Sequence, residues 1–509
     1  MLSAVTSCAL NGIDGYKVTV EVNISGGLPF FEVVGLPDTA VKESRERVRA
    51  ALKNSGFGFP DDRITVNLAP ADIKKEGPIF DLPIAVGIVV SQGRIAPGSL
   101  RDTAFLGELS LEGSIRRVRG VLPMAISLRS MGMKRLIFPA ENTNELSCID
   151  GIELLPASHL SEVTAHLKNG NALKAVAPRS YDQLLTERRF SVDFAFVKGQ
   201  KAAKRALEIA ASGGHNVLMV GEPGSGKTLM ARALPGILPD MTFDEALEVT
   251  RIHSAANLPV GDGLLVERPF RAPHHTASSI ALTGGGSQAL PGEISRAHQG
   301  VLFLDELPEF RRDVLEALRQ PMEDGFVTVT RVGAQATYPS QFMLVCSMNP
   351  CPCGHYGSRS HVCRCTPTQI NRYLNRISGP LLDRIDIHIE VQSIPPETLR
   401  DMASEEDSDT IRKRVEKARR IQRERYAKDD ITCNARLDAR TIDRYCPMDD
   451  SARDLLKQAA EKLNLSNRAF TRMIKVSRTI ADLAEEDIIT ARHIAEAVQY
   501  RSLDRKYWG

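Results

Sequence analysis

Along the first third of the chain, strand-like segments alternate with helical ones. YKVTVEVNIS, DRITVNLAP and KRLIFPA set apolar and β-branched residues in alternation or short runs, the pattern of strands. TAVKESRERVRAALKNSG and GVLPMAISLRSMG have the composition and spacing of helices. The first helix is predicted over 39–55; it opens at Asp38 or Thr39, whose side chains suit an N-cap, and closes at Gly56. This alternation predicts a mixed α/β domain over 1–175. Residues 176–190 hold Pro178 and the charged run Glu187, Arg188, Arg189, and read as a linker. A second α/β pattern fills 191–395, with continuous apolar strands at Val217–Val220, at Val301–Leu304 and in FMLVCSMNP. EDGFVTVTRVGAQATYP alternates at Val327, Val329 and Arg331 before Gly333, which predicts a β-hairpin. Residues 396–509 are helical and charged, with almost no strand signal.

Composition narrows the class. The 509 residues predict about three domains at roughly 100–200 residues each. Lys plus Arg is 65 and Asp plus Glu is 63, so a bulk basic tail is excluded and any nucleic-acid surface must be local. The one local excess is Ile411 to Arg440, with eleven Lys/Arg against five Asp/Glu. It is either a solvated helix or a DNA-facing surface. Arg45, Arg47 and Arg49 pose the same choice on the first helix. MLSAVTSCALNGIDGY lacks the basic and apolar regions of a signal peptide, and the best apolar run, Leu82 to Val90, is too short to span a membrane. A cytoplasmic, membrane-free protein is expected. Nine cysteines in a reducing compartment argue against a disulfide framework.

The strongest chemical signal is HNVLMVGEPGSGKTLMARAL. An apolar strand runs into Gly221, Glu222, Pro223, Gly224, Ser225, Gly226, Lys227 and Thr228, which fit G-x-x-x-x-G-K-[ST], and a helix follows. The glycines free the backbone to point successive N–H groups at phosphate oxygens, and the helix N-terminus adds its positive end. Lys227 is placed for the β/γ-phosphates and Thr228 for Mg²⁺. In GVLFLDELPEF, Asp305 ends a buried strand as the second Mg²⁺ contact, and Glu306 stands where a carboxylate can polarise an attacking water. ATP and Mg²⁺ are the cofactors this implies. FMLVCSMNP ends at Asn349, a neutral donor for the γ-phosphate position. GPLLDRIDIHIEV offers Arg384, LSNRAFTRMIKVSRTIADL offers Arg468, and FVKGQ offers Gly199 and Gln200 as a base-recognition turn. Arg384 could instead pair with Asp383 or Asp386. Arg468 could be a solvated helix position, with Arg472 as its rival.

In sequence order these pieces resemble the AAA+ ATPases: Walker A, Walker B, sensor 1, arginine finger, and sensor 2 in a helical lid. The resemblance implies a ring, most simply a homo-hexamer, in which Arg384 acts on a neighbour's nucleotide. Two insertions, RPFRAPHHTAS with ALTGGGSQALPGEIS and the hairpin in EDGFVTVTRVGAQATYP, resemble those of magnesium chelatase AAA+ subunits and MCM helicases. Gly284, Gly285 and Gly286 read as a mobile loop tip. The resemblance implies that Arg331 faces DNA in the ring pore, with a cross-strand ion pair as the alternative, and the glycine loop is a further candidate for DNA contact. GLPDTAVKESRERVRAAL, NLAPADIKKEGPIFDLPIA, NPCPCG and GPLLDRIDIHIEV look like the YifB/ComM family over essentially the whole chain. That resemblance implies a hexameric helicase driving branch migration of recombination intermediates in natural transformation, with branched or single-stranded DNA and recombination proteins as partners.

The expected fold class is therefore α/β. It comprises an N-terminal domain resembling the Lon proteolytic domain (S5 domain 2-like), an AAA+ P-loop core, and a C-terminal helical lid. KEGPIFDLP puts Ile79 where Lon carries its serine, and Leu122 falls at the position of the Lon lysine, so a non-proteolytic scaffold is expected. Lys74 and Lys75 read as surface charges. Cys351, Cys353, Cys363 and Cys365 give C-x-C-x₉-C-x-C directly after Asn349, a spacing that suits a structural Zn²⁺. His355 or His361 could replace one thiolate, and free thiols or a redox switch are the alternatives. A protein-remodelling ATPase and a chelatase-type motor acting on a partner enzyme remain open beside the DNA motor.

Overall fold

The computed structural model describes residues 2–187, 190–256, 258, 263–286, 289–331, 334–358, 361–394, 405–429, 431–463 and 465–508. The chain forms two compact units, Met1–Glu187 with Ala246–Leu265, and Arg188–Glu245 with Val266–Gly509.

The first unit is built on a seven-stranded mixed sheet. Its strands are β1 (Leu2–Asn11), β2 (Asp14–Ser25), β3 (Phe30–Val34), β4 (Arg63–Ala69), β5 (Thr103–Phe105), β6 (Arg135–Pro139) and β7 (Glu153–Ala157). They lie in the order β3-β4-β2-β1-β5-β6-β7. β2, β4 and β6 are the three strands the alternation predicts. β1 carried no such signal, because serines stand at buried positions: Ser3 Oγ donates to Gly87 O at 2.8 Å and Ser7 Oγ to Phe105 O at 2.9 Å. These bonds satisfy hydroxyls that burial would otherwise penalise.

Helices α1 (Ser44–Asn54), α2 (Asp81–Ser91) and α3 (Val121–Ser130) belong to this unit. The apolar run Leu82–Val90 is α2, and every residue of that helix is buried. Asp81 at its start is held by Arg47 of α1, whose Nε and Nη2 reach the carboxylate at 2.6 and 3.0 Å. Burial nevertheless pushes the Asp81 carboxyl up to about 6. Arg47 is thus neither a binding face nor a solvated charge but a partner for a buried acid. Lys75 likewise departs from expectation. It is completely buried, donates to Ile73 O at 2.7 Å, and has its pKa lowered by desolvation. Lys74 is exposed beside Glu76. Ile79 and Leu122 are buried apolar side chains. The stretch read as a linker is partly tied to this unit: Val176 N donates to Leu154 O at 2.9 Å, Arg179 N to Ser147 O at 2.8 Å, and Tyr181–Glu187 is helical. Ala246–Leu265 also packs here, a placement that the linear order of elements did not suggest.

The second unit carries a parallel sheet of β8 (Val217–Gly221), β9 (Phe270–Arg271), β10 (Val301–Leu304), β13 (Met343–Met348) and β14 (Ile387–Val391), ordered β9-β10-β13-β8-β14. Every position of β8, β10 and β13 is buried, which explains their unbroken apolar runs. The antiparallel pair β11 (Phe326–Arg331) and β12 (Ala334–Pro339) forms the expected hairpin, in register from Phe326↔Pro339 to Arg331↔Ala334. Helix α4 (Lys201–Gly213) precedes β8, and α5 (Lys227–Ala233) follows it. Helices α6 (Ser408–Arg425), α7 (Asp450–Leu463), α8 (Asn467–Leu483) and α9 (Ala491–Gln499) are the longer helices of the C-terminal region. Ile411, Val415, Val476 and Ile480 enter the same core as β8 and β14. The basic stretch on α6 is largely neutralised. Arg414 pairs with Glu208 and Glu406, Lys417 with Glu485, Arg423 with Glu416, and Arg425 with Asp482. Among the described residues, no helix is long and apolar enough to cross a membrane.

Candidate nucleotide and metal site

β8 delivers the chain to the phosphate loop at the carboxyl edge of the sheet. Gly221 must be glycine: a Cβ there would lie 2.3 Å from Val391 O on the neighbouring strand β14. Gly224 and Gly226 have φ of 77° and 93°, the left-handed region that glycine enters without strain, and Gly226 caps α5. Lys227 follows, with its ammonium bonded to Gly221 O at 2.7 Å, Glu222 O at 2.8 Å and Asn349 Oδ1 at 3.3 Å. Burial lowers the Lys227 pKa to about 8, partly opposed by Asp305, Glu306 and Glu222.

Three adjacent parallel strands bring the remaining groups together. Asp305 directly follows β10, and Asn349 directly follows β13, which lies between β10 and β8. Thr228 Oγ1 donates to Asp305 Oδ2 at 2.9 Å, so two hard oxygen ligands sit side by side where a magnesium ion fits. Ser347 donates to the other oxygen of Asp305. Sequence reasoning missed Ser347, though a serine inside an otherwise apolar buried strand was a readable signal. Glu306 has φ of 54°, a left-handed conformation unusual for a side chain larger than glycine. Its exposed carboxylate lies 3.6 Å from His275 Nδ1, a residue of the 268–278 insertion that carried no expectation.

Gly199 and Gln200 also adopt positive φ, 64° and 55°, turning the chain into α4. Gly199 N donates to Glu405 Oε1 at 3.0 Å, and Gln200 Nε2 to Gln392 O at 2.6 Å. Phe196, Val197, Gln200, Gly224, Leu229 and Met230 line a cleft of about 430 Å³ beside the phosphate loop. Its apolar wall next to a cradle of N–H groups suits a flat base attached to phosphates.

The two arginines lie elsewhere. Arg384 is 3% exposed, donates to Pro380 O at 2.6 Å, and pairs with Glu323 rather than Asp383 or Asp386. Its own carbonyl accepts from Asn216 Nδ2 at 3.0 Å and Arg472 Nη1 at 2.7 Å. Asn216 precedes β8, so Arg384 stands at the amino edge of the sheet, about 17 Å from the phosphate loop by strand length. Arg468 pairs with the same Glu323 at 3.3 Å. Arg472, its rival, pairs with buried Asp386, whose carboxyl it holds far below the usual range against the cost of burial.

Gly284 and Gly285 are not a free tip. They form a two-residue ladder with Leu290–Pro291, and a Cβ on Gly284 would lie 2.5 Å from Leu290 O. Gly286 follows with φ of 85°. Arg331 ends β11, but its side chain and residues 332–333 lie outside what the structure describes.

Directly after Asn349, the sulfurs of Cys351, Cys353, Cys363 and Cys365 all lie within 4.8 Å of one another. Three of the separations are 3.4, 3.7 and 3.7 Å, close to the ~3.8 Å that a tetrahedral ion with 2.3 Å sulfur bonds requires. Backbone N–H groups of Arg364 and His355 aim at Cys353 and hold its thiol down to about 6. The set fits a metal ion.

Fold and site together define a P-loop ATPase of the AAA+ type, with a parallel sheet that presents its phosphate loop at the carboxyl edge. The family described as magnesium chelatase, subunit ChlI, matches residues 193–399; subunit ChlI of Mg-chelatase matches 20–142; and the ChlI C-terminal family matches 405–501. The chain is 45% identical to YifB of Escherichia coli over 99% of its own length and 98% of the relative. It is also 45% identical to the competence protein ComM of Haemophilus influenzae, again over 99% and 98%. A more distant likeness, 28% over 45% of this chain and 38% of the relative, is to the magnesium-chelatase 67 kDa subunit of Heliobacterium mobile. The chain belongs to the YifB/ComM family of magnesium-chelatase-like ATPases.

Proposed function

We propose that this protein is an ATP-driven ring motor, a homo-hexamer that migrates branched DNA in recombination. The observation that carries hydrolysis is the convergence of Lys227, Thr228, Asp305 and Asn349 across three neighbouring strands. Lys227 binds phosphate oxygens, Thr228 and Asp305 hold Mg²⁺, and Glu306 orients the attacking water. Gly199, Gln200 and the cleft beside them receive the base. Arg384 is too far from its own phosphate loop to act there, so it serves a neighbouring protomer. Glu323 holds it, together with Arg468, until a neighbour's phosphates compete for the guanidinium groups. An arginine so supplied is worth about 10³–10⁵ in rate in related systems.

The DNA assignment rests on the full-length likeness to a competence protein. Arg331 on the β11–β12 hairpin and the Gly284–Gly286 segment form the pore surface. The Lon-like first domain is a non-proteolytic scaffold for DNA or for recombination partners, and the four cysteines hold a structural Zn²⁺. The likeness to chelatase subunits supports a second reading, a motor that remodels a partner enzyme.

Strand exchange on a labelled three-strand branched DNA with ATP and Mg²⁺ separates the two. Migration that vanishes in Lys227→Ala is the expected result. Arg331→Ala should lose DNA stimulation of the ATPase while keeping its basal rate. No migration, with intact rings and an ATPase indifferent to DNA, would overturn the DNA motor in favour of a protein client.

A further inference from the structure

We propose that Glu222, His355 and His361 form a second metal site, one for a divalent transition-metal ion, that ties the phosphate loop to the cysteine-bearing loop. Glu222 is the second residue of the GEPGSGKT loop, and its side chain is mostly buried. His355 and His361 come from the segment between the two cysteine pairs. His355 Nδ1 lies 3.8 Å from Glu222 Oε2, and His361 Nδ1 lies 3.9 Å from the same oxygen. One potential ligand atom from each of the three residues falls within 4.8 Å of the other two.

These separations are too long for direct hydrogen bonds. They are a few tenths of an ångström longer than the donor–donor spacing around an ion bound at about 2.0–2.2 Å, so small side-chain rotations close the site. His355 Nδ1 is buried and has no hydrogen-bond partner among the described residues, a state that native structures rarely leave uncompensated. The two imidazoles stack with centroids 4.7 Å apart, which brings both rings to the one carboxylate.

The loops are already in contact at a second point. A Cβ on Gly354 would lie 2.6 Å from Pro223 Cδ, so the turn after Cys353 packs directly on the phosphate loop. The site therefore needs no loop movement to assemble. Two imidazole nitrogens and one carboxylate oxygen favour zinc, cobalt or nickel over magnesium or calcium, and three protein ligands leave one position open. The four cysteine sulfurs form their own cluster, so neither histidine is needed as a replacement thiolate. The consequence is mechanical: an ion here would fix the Glu222 end of the phosphate loop, one residue past Gly221.

The proposal does not depend on the nucleotide reading, and metal counting tests it. The full chain, without nucleotide, is loaded with Co²⁺ alone, and bound cobalt per chain is measured with its absorption spectrum. The expected result is two ions, one showing thiolate-to-cobalt charge transfer and one lacking it. The double variant His355→Ala, His361→Ala should lose the second ion, half of the bound cobalt, and keep the thiolate band. That retained band shows that the cysteine loop is still folded. If the variant retains all its cobalt, or the thiolate band disappears with the histidines, the proposal is overturned. A wild-type protein with no cobalt beyond the thiolate-bound ion overturns it as well.

Discussion

Lys227 shows how much a single residue's role depends on where burial leaves it. Its position in the motif was readable because only glycine enters the torsions at 224 and 226, and a lysine directly after them starts a helix. Its electrostatics were not readable, since the burial that lowers its pKa to about 8 comes from several strands. Phosphate needs the ammonium form, so the part of nucleotide affinity that Lys227 supplies should not change as the pH approaches 8 from neutrality. Above it, binding must take up a proton, and affinity should fall by up to about tenfold per pH unit. Calorimetric titrations in buffers of different ionisation enthalpy would read both the loss and the proton uptake. Glu306 makes a second residue-scale case. Glu306→Gln should keep nucleotide binding and lower turnover about 10²–10⁴-fold, seen by comparing equilibrium binding with steady-state ATPase rates. Lys75 and Arg47 mark the limit of reading at this scale. Both are charged residues in charged contexts, and only the packed unit reveals that one is fully buried and the other serves Asp81.

Among the elements, those with strong periodicity were legible. β2, β4, β6, the three buried strands of the second unit and the 326–339 hairpin all follow from spacing. β1 was not, because its buried serines find acceptors only on Gly87 and Phe105, far away in sequence. The entry to the helical segment after Leu36 is half legible: residue type puts the cap at Asp38 or Thr39, and Asp38 is the residue that accepts from Val41 N at 2.8 Å. It accepts from Gly77 N at 3.0 Å as well, joining two segments that no local pattern pairs. Asp38→Ala should therefore cost about 1–2 kcal/mol, at the upper end for a cap, because two backbone donors lose their acceptor. A lowered midpoint for the first thermal transition of the full chain, with ATP binding in the second unit unchanged, is the result that would check it. The basic stretch on α6 carries the same lesson in charge: Arg414, Lys417 and Arg425 are met by acids on other elements, which a local count of signs does not register.

At the scale of the whole molecule, the parallel sheet of the second unit gathers charged groups at both of its edges. Lys227, Asp305 and Asn349 gather at the carboxyl edge, while Arg384 and Arg468 share Glu323 at the amino edge. In a ring this arrangement predicts complementation. Lys227→Ala and Arg384→Ala proteins should each be inactive alone, and a mixture should regain part of the ATPase as intact phosphate loops meet intact arginines. A mixture no more active than its components would show that Arg384 does not act between protomers. By itself, the sequence determined the phosphate loop, the order of its partner motifs, the cysteine spacing and the family, because each depends on residue type at short, fixed spacing. Only the tertiary structure decided which arginine faces which acid, that Lys75 is buried, that residues 246–265 join the first unit, and that Glu222 meets two histidines. Those outcomes depend on segments far apart in the chain whose approach is set by packing, and no local pattern encodes it.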